Sequence, residues 1–162
     1  MLLYHGSTKI ITTPLLVHSK RPLDFGPGFY TTTNFGQAEK WALIKKRRLN
    51  AAQGVVNCYE FSDQLTSSSS TIKVFESPNE EWLDFITANR MGTGTHNYDI
   101  IKGPVADDTV FETILLYESG TLSKEETIAR LKVHHLYDQI SFHTDKVLRQ
   151  LKFLKHKNIL SL

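Results

Sequence analysis

Within "LDFGPGFYTTTNFGQAEKWALIKKRRL" the apolar pattern changes its period abruptly. Gly26, Pro27 and Gly28 punctuate a loop, and the aromatic and β-branched run from Phe29 suits a strand. Asn34 then stands where an N-cap would open a helix, with Ala38, Trp41, Ala42 and Ile44 or Lys45 at helical spacing. A chain that switches so fast has to combine short strands with helices. The switching recurs. "MLLYH", "GVVNCYEF", "IKVFE" and "YDQISFHT" read as strands, and "YDIIKGPV" as a strand running into a tight Gly103-Pro104 turn. Asn79 precedes a helix in "EEWLDFITANRM", with Gly92 beyond its end. "DDTVFETILLYESG" reads as a helix opened by Asp107 and Asp108, and Ser123 with Glu126 spells a capping box for "KEETIARLKVHHL". Ser67 to Thr71 are low-complexity and read as an exposed turn, and "DKVLRQLKFLKH" reads as a basic amphipathic helix. No glycine-rich dinucleotide-binding crossover interrupts the series, so the expected class is α+β.

At 162 residues the chain is most simply one domain, residues 1–162, able to bury a core without staples. Its single cysteine, Cys58, excludes an internal disulfide, fits a reducing compartment and reads as a small buried apolar residue of a strand. A net charge of +2 does not announce a nucleic-acid or membrane partner. No apolar run approaches membrane-spanning length and no leader pattern opens the chain, so the expected location is the cytoplasm.

Three stretches carry residues suited to chemistry. His5-Gly6-Ser7 ends the first strand with a backbone that can approach closely and side chains that form directional hydrogen bonds. Tyr30, on a strand, precedes Trp41, on a helix, and two such rings can either pack in a core or sandwich a flat ring. Gln139, Ser141 and His143 share one face of the last strand, with Ile140 and Phe142 on the core face. Other charges have plainer readings. Asp24 orders its loop, Arg90 and the Lys45–Arg48 run complement helix ends, the run as a solvated face, and Asp107, Asp108 and Glu112 either suit a helix N-terminus or offer a carboxylate to a site, Asp107 fitting both readings equally. The run can also steer a phosphate-bearing partner, and Arg90 can reach a phosphate. The histidines show no metal-ligand spacing with a cysteine pair, so no metal is expected.

Taken together, "LYHGS", "LDFGPGFYTT", "WLDFI", "YDIIKGPVADD" and "QISFHT" resemble a bacterial family assigned to the ADP-ribosyltransferase superfamily, in its diphtheria-toxin-like and poly(ADP-ribose) polymerase-like branch. The resemblance covers nearly the whole chain in order. It implies two small sheets flanked by helices in a split β-sandwich, with an NAD+ cleft between them. It also implies roles. His5 would bond the adenosine ribose, while Gly6 (through its backbone) and Ser7 would hold the nicotinamide carboxamide. Tyr30 and Trp41 would clamp the nicotinamide ring, Trp41 standing where tyrosine is usual. Gln139 stands where the best-known enzymes place a glutamate against the nicotinamide ribose. A glutamine can hold a ribose hydroxyl but brings only a dipole to the developing positive charge and cannot act as a base.

Two functions follow from the resemblance. One is an NAD+-dependent mono-ADP-ribosyltransferase that passes ADP-ribose to a macromolecular acceptor, protein or nucleic acid, in the manner of a toxin paired with an antitoxin. The other is a module of the same fold that binds NAD+ or an ADP-ribosyl group without cleaving it. A third reading, an unrelated α+β domain with accidental matches, predicts no NAD+ binding.

Overall fold

The computed structural model describes residues 1–16, 23–62, 70–106 and 110–160. Asp107 and Asp108, His18 and most of the serine run lie outside the described residues.

The strands form two small sheets. In the first, β1 (Leu2–Ser7) and β7 (Lys152–Ile159) flank β3 (Gly54–Glu60), all antiparallel. The second runs β2 (Phe29–Thr31), β6 (Asp138–Phe142), β5 (Ile100–Pro104), β4 (Ile72–Val74), with only β4 and β5 parallel. The period-two alternation of each strand decides which side chains meet. Leu3, Tyr59, Phe29, Ile140 and Phe142 fill the space between the sheets. A backbone bridge between Tyr4 and Thr32 ties β1 to the end of β2.

Helices cover the outer faces. Helix α1 (Phe35–Leu49) lies on the first sheet through Ala38 and Ala42, packed with Val56 and Ile159. Helices α2 (Glu80–Arg90), α3 (Phe111–Glu118) and α4 (Lys124–Leu131) cover the second, around Trp82, Ile86, Ile101, Ile114 and Leu131. The expected caps form: Asn34 accepts from Gln37 N, Asn79 from Trp82 N, and Ser123 and Glu126 close their capping box. The molecule is therefore α+β, with two sheets stacked between helical layers. Among the described residues, no helix is long and apolar enough to cross a membrane.

Two expectations fail. The basic C-terminal helix stops after α5 (Asp145–Leu148), and the chain turns into β7. Strand β3 offers an open edge there, and pairing its seven residues outweighs the helical spacing of Leu151 and Leu154. Phe153 meets Tyr59 on the inner face, while Lys152, Lys155 and Lys157 leave a charged edge that resists further strand addition. The second failure is at Gly103-Pro104, which makes no turn but completes β5 opposite Gln139 and Asp138. A Cβ at Gly103 would come within 3.1 Å of both Phe25 and Phe75, so ring packing, not turning, requires the glycine there.

Candidate functional site

The threonine run that follows Tyr30 staples β2 to β6. Thr31 Oγ1 donates to Ile140 O at 3.0 Å, and the hydroxyls of Thr32 and Thr33 both reach Asp138 Oδ1. That anchorage fixes Tyr30 beside β6. The Tyr30 hydroxyl donates to Gly26 O at 2.6 Å and accepts from Phe25 N at 3.1 Å, so it closes the loop that precedes its own strand. Burial, and then the nearby Asp24 charge, push its pKa up, so it stays a neutral donor. Two histidines hold the same loop from the other side. His96 Nε2 meets Phe25 O at 2.9 Å, and His143 Nδ1 meets Pro27 O at 2.7 Å. Carbonyls only accept, so these nitrogens carry the protons. Ser141 Oγ lies 2.8 Å from His143 Nε2, and burial lowers the His143 pKa to about 4.

Beside the loop, β1, β2, β6 and helices α1 and α3 line an open-mouthed cavity of about 770 Å³. Its lining includes His5, Ser7, Tyr30, Trp41 and Gln139, which come from four different elements. Gly6 stands behind this surface. A Cβ there would lie 2.2 Å from Ala38 O and 2.7 Å from Ala42 N, so the glycine is what lets α1 rest on β1. Tyr30 and Trp41 both border the cavity but are not in ring contact. The His5 ring stacks on Phe29 at a 4.4 Å centroid distance, and its Nδ1 donates to Tyr30 O at 2.5 Å, which links the two sheets.

The basic run is not uniformly a solvated face. Lys45 is partly buried, and its ammonium donates to Gly6 O at 2.7 Å and approaches His5 Nε2 at 3.4 Å. Burial lowers the Lys45 pKa to about 8; burial, with that ammonium alongside, lowers His5 to about 3. Lys40, Lys45 and Arg48 border the cavity from α1, which gives that wall a cationic edge.

Opposite them lies a group that sequence reasoning treats as unrelated residues. Asp24 Oδ1 accepts from Arg90 Nε at 2.9 Å, and its Oδ2 accepts from Ala106 N at 3.1 Å and Gln139 Nε2 at 3.0 Å. The ion pair is sheltered: the side chains of Arg90 and Asp24 keep only 14% and 11% exposure. Gln139 also donates to Pro104 O at 3.2 Å. No local pattern joins residues so far apart in the chain. Sequence reasoning misses Gln37 too. Both its side-chain polar atoms are buried without a hydrogen-bond partner among the described residues, and it borders the same cavity. The available signal is its spacing, four residues before Trp41 on one face of α1.

A family model described as "Protein of unknown function (DUF3990)" matches residues 1–153. The chain belongs to that family. No curated protein and no solved structure matches the chain. In this family member, the residues singled out from sequence fall into three groups around one cavity: His5, Ser7, Tyr30, Trp41 and Gln139 on its surface, Gly6 behind it, and Ser141 and His143 bracing the loop beside it. Glu112 lies exposed in the first turn of α3 and does not border the cavity. A cavity with aromatic faces, a cationic edge and a few fixed polar groups suits a ligand that is flat in one part and anionic in another.

Proposed function

We propose that this protein is an NAD+-dependent mono-ADP-ribosyltransferase. The observation that carries the reading is the convergence of His5, Ser7, Tyr30, Trp41 and Gln139 on one cavity, although 134 positions separate His5 from Gln139 (139 minus 5). The surrounding chemistry fits the dinucleotide. Tyr30 and Trp41 offer aromatic faces for nicotinamide, and Lys40, Lys45 and Arg48 offer cations for the pyrophosphate. In the reaction, the bond between ribose C1′ and the nicotinamide nitrogen breaks, and its electron pair leaves with nicotinamide. A lone pair of the acceptor forms the new bond at C1′, and the acceptor's proton passes to solvent. The protein's part is to hold C1′ open to that acceptor, which is a matter of positioning.

A second reading, binding without transfer, draws on a specific feature. Position 139 carries no charge, and the carboxylate beside it is already paired with Arg90. Adenine-labelled NAD+ in a cell lysate separates the two. Wild-type protein is compared with Trp41→Ala, followed by isolation of protein, RNA and DNA. Label transferred by the wild type and lost in the variant supports transferase activity, and the labelled fraction gives the acceptor class. NAD+ binding without transfer favours the binding module. Folded protein that binds no NAD+ overturns the transferase, and folded protein that binds neither NAD+ nor ADP-ribose overturns both.

A further inference from the structure

The proposed chemistry leaves open why residue 139 is an amide, and the answer lies in Asp24. The Gln139 amide nitrogen has two hydrogens, and both are committed: one to Asp24 Oδ2 at 3.0 Å and one to Pro104 O at 3.2 Å. Neither partner can donate, so the nitrogen end of this amide is fixed without ambiguity. What remains is Oε1, a pure acceptor, on a side chain that borders the cavity and is 3% exposed. Gln139 thus shows the cavity the hydrogen-bonding pattern of a carboxylate oxygen without its charge.

Asp24 is held on both of its oxygens. Arg90 Nε grips its other oxygen, Ala106 N adds a third bond, and the guanidinium is itself held by Ala106 O at 3.3 Å and lies over the Phe111 ring. A glutamate at 139 would set an anionic oxygen against the Asp24 carboxylate and a carbonyl. Like charges so close do not both ionise, so a proton would have to be shared between them.

We infer that Asp24 is the positioning residue of this site: it dictates glutamine at 139 and aims Gln139 Oε1 as an acceptor for a ribose hydroxyl. The ribose rests on the reading of the cavity as an NAD+ site; the pairing of the two residues does not.

The inference has a signature opposite to that of an ordinary catalytic glutamate, whose function rises as it ionises. In Gln139→Glu, the protonated acid can still donate to Asp24 and offer its carbonyl oxygen to the ligand. The ionised acid cannot donate. The charged and titratable side chains that border the cavity are Asp24 from the loop, Arg90 from α2, Glu118 from α3, His5 from β1, Tyr30 from β2, and Lys40, Lys45 and Arg48 from α1. Of these, Asp24 is the one hydrogen-bonded to residue 139.

The test measures NAD+ affinity and melting temperature from pH 5.5 to 8.5 for wild type, Gln139→Glu, Asp24→Asn and the double variant. Relative to wild type at each pH, Gln139→Glu should bind nearly normally at the acid end and about tenfold or more weakly at the alkaline end. Asp24→Asn should bind weakly throughout, and the double variant should lose the pH dependence. Gln139→Glu that binds more tightly as pH rises, or a double variant that keeps the full pH dependence of Gln139→Glu, overturns the inference. So do melting temperatures that shift while affinity stays constant. If the wild type binds no NAD+, the transferase reading falls on its own and the melting temperatures decide the pairing. A Gln139→Glu melting temperature that falls with rising pH only when Asp24 is present supports it. Parallel behaviour with and without Asp24 refutes it.

Discussion

The two walls of the cavity are built on opposite principles. On the side of β6 and the loop before β2, the polar groups are bound to one another and leave Gln139 Oε1 to the cavity: Asp24 is held by Arg90, Ala106 and Gln139, the Tyr30 hydroxyl by Gly26 and Phe25, and the loop carbonyls by His96 and His143. On the side of α1, the helix is seated by small residues, Gly6 against Ala38 and Ala42, and it presents Gln37 with neither amide atom paired among the described residues. One wall is a hydrogen-bond network that aims one acceptor at the cavity, and the other is a close-packed contact with an unpaired amide left over. A ligand can therefore find one pre-aimed acceptor on the first wall and an unpaired donor and acceptor on the second.

The seating of α1 is the feature whose loss should cost most. In Gly6→Ala the new methyl would fall within 3 Å of Ala38 O, Ala42 N and Trp41 Cβ, and two of these are backbone atoms that move only with the helix. The expected loss is about 3 kcal/mol or more of unfolding free energy in urea titrations, with Trp41 displaced from the cavity. A variant as stable as the wild type would mean that α1 slides freely on β1, and the contrast between the walls would dissolve.

Acid probes both walls through histidines that the fold holds neutral. Burial is the largest cause at each: His143, against the loop, is lowered to about 4, and His5, beside Lys45 on the α1 side, to about 3. Between the ordinary histidine pKa near 6.5 and those values, the unfolded chain takes up protons that the folded chain does not. Stability therefore falls as pH falls. The two histidines together should remove about 2 kcal/mol between pH 6.5 and 5.5, before most carboxylates titrate. His143→Gln should remove about half of that slope while leaving the His5 part. A stability that stays level down to pH 5, or a slope unchanged in the variant, would show that these rings protonate inside the fold.

Which parts of this arrangement are legible in the sequence follows from the range of the forces involved. Asn34, Asn79 and the Ser123–Glu126 box act within a few residues, and all three cap as their spacing implies. The alternation of Gln139 and Ser141 against Ile140 and Phe142 is equally local, and it places Gln139 off the core between the sheets. The Asp24–Arg90 pair spans 66 positions, and nothing near either residue announces the other. Lys45 looks like one cation of a solvated run because its burial depends on β1, which lies far upstream. Strand β7 reads as a helix for a related reason: its helical spacing is genuine, but the open edge of β3 is a property of the assembled sheet. Gly6 stands out in the sequence for backbone exposure to a ligand, whereas its missing side chain serves the packing of α1.

The smallest expected effect sharpens the comparison most. Gln37 is 1% exposed, and both its amide atoms are buried without partners among the described residues, so the free protein carries the desolvation of a donor and an acceptor. Gln37→Met keeps the length of the side chain and removes both groups. It should raise stability by about 1 kcal/mol, a shift of about 3 °C in melting temperature for a chain of this size. The same substitution should weaken NAD+ binding if the cavity's ligand pairs with that amide. At Gln139, where every amide hydrogen already has a partner, Gln139→Met should lower stability and affinity together. Opposite signs at two buried glutamines of one cavity would separate a residue that serves the fold from one the fold holds in readiness. A loss of stability in Gln37→Met would mean that ordered water already satisfies the amide, and the α1 wall would then be as closed as its counterpart.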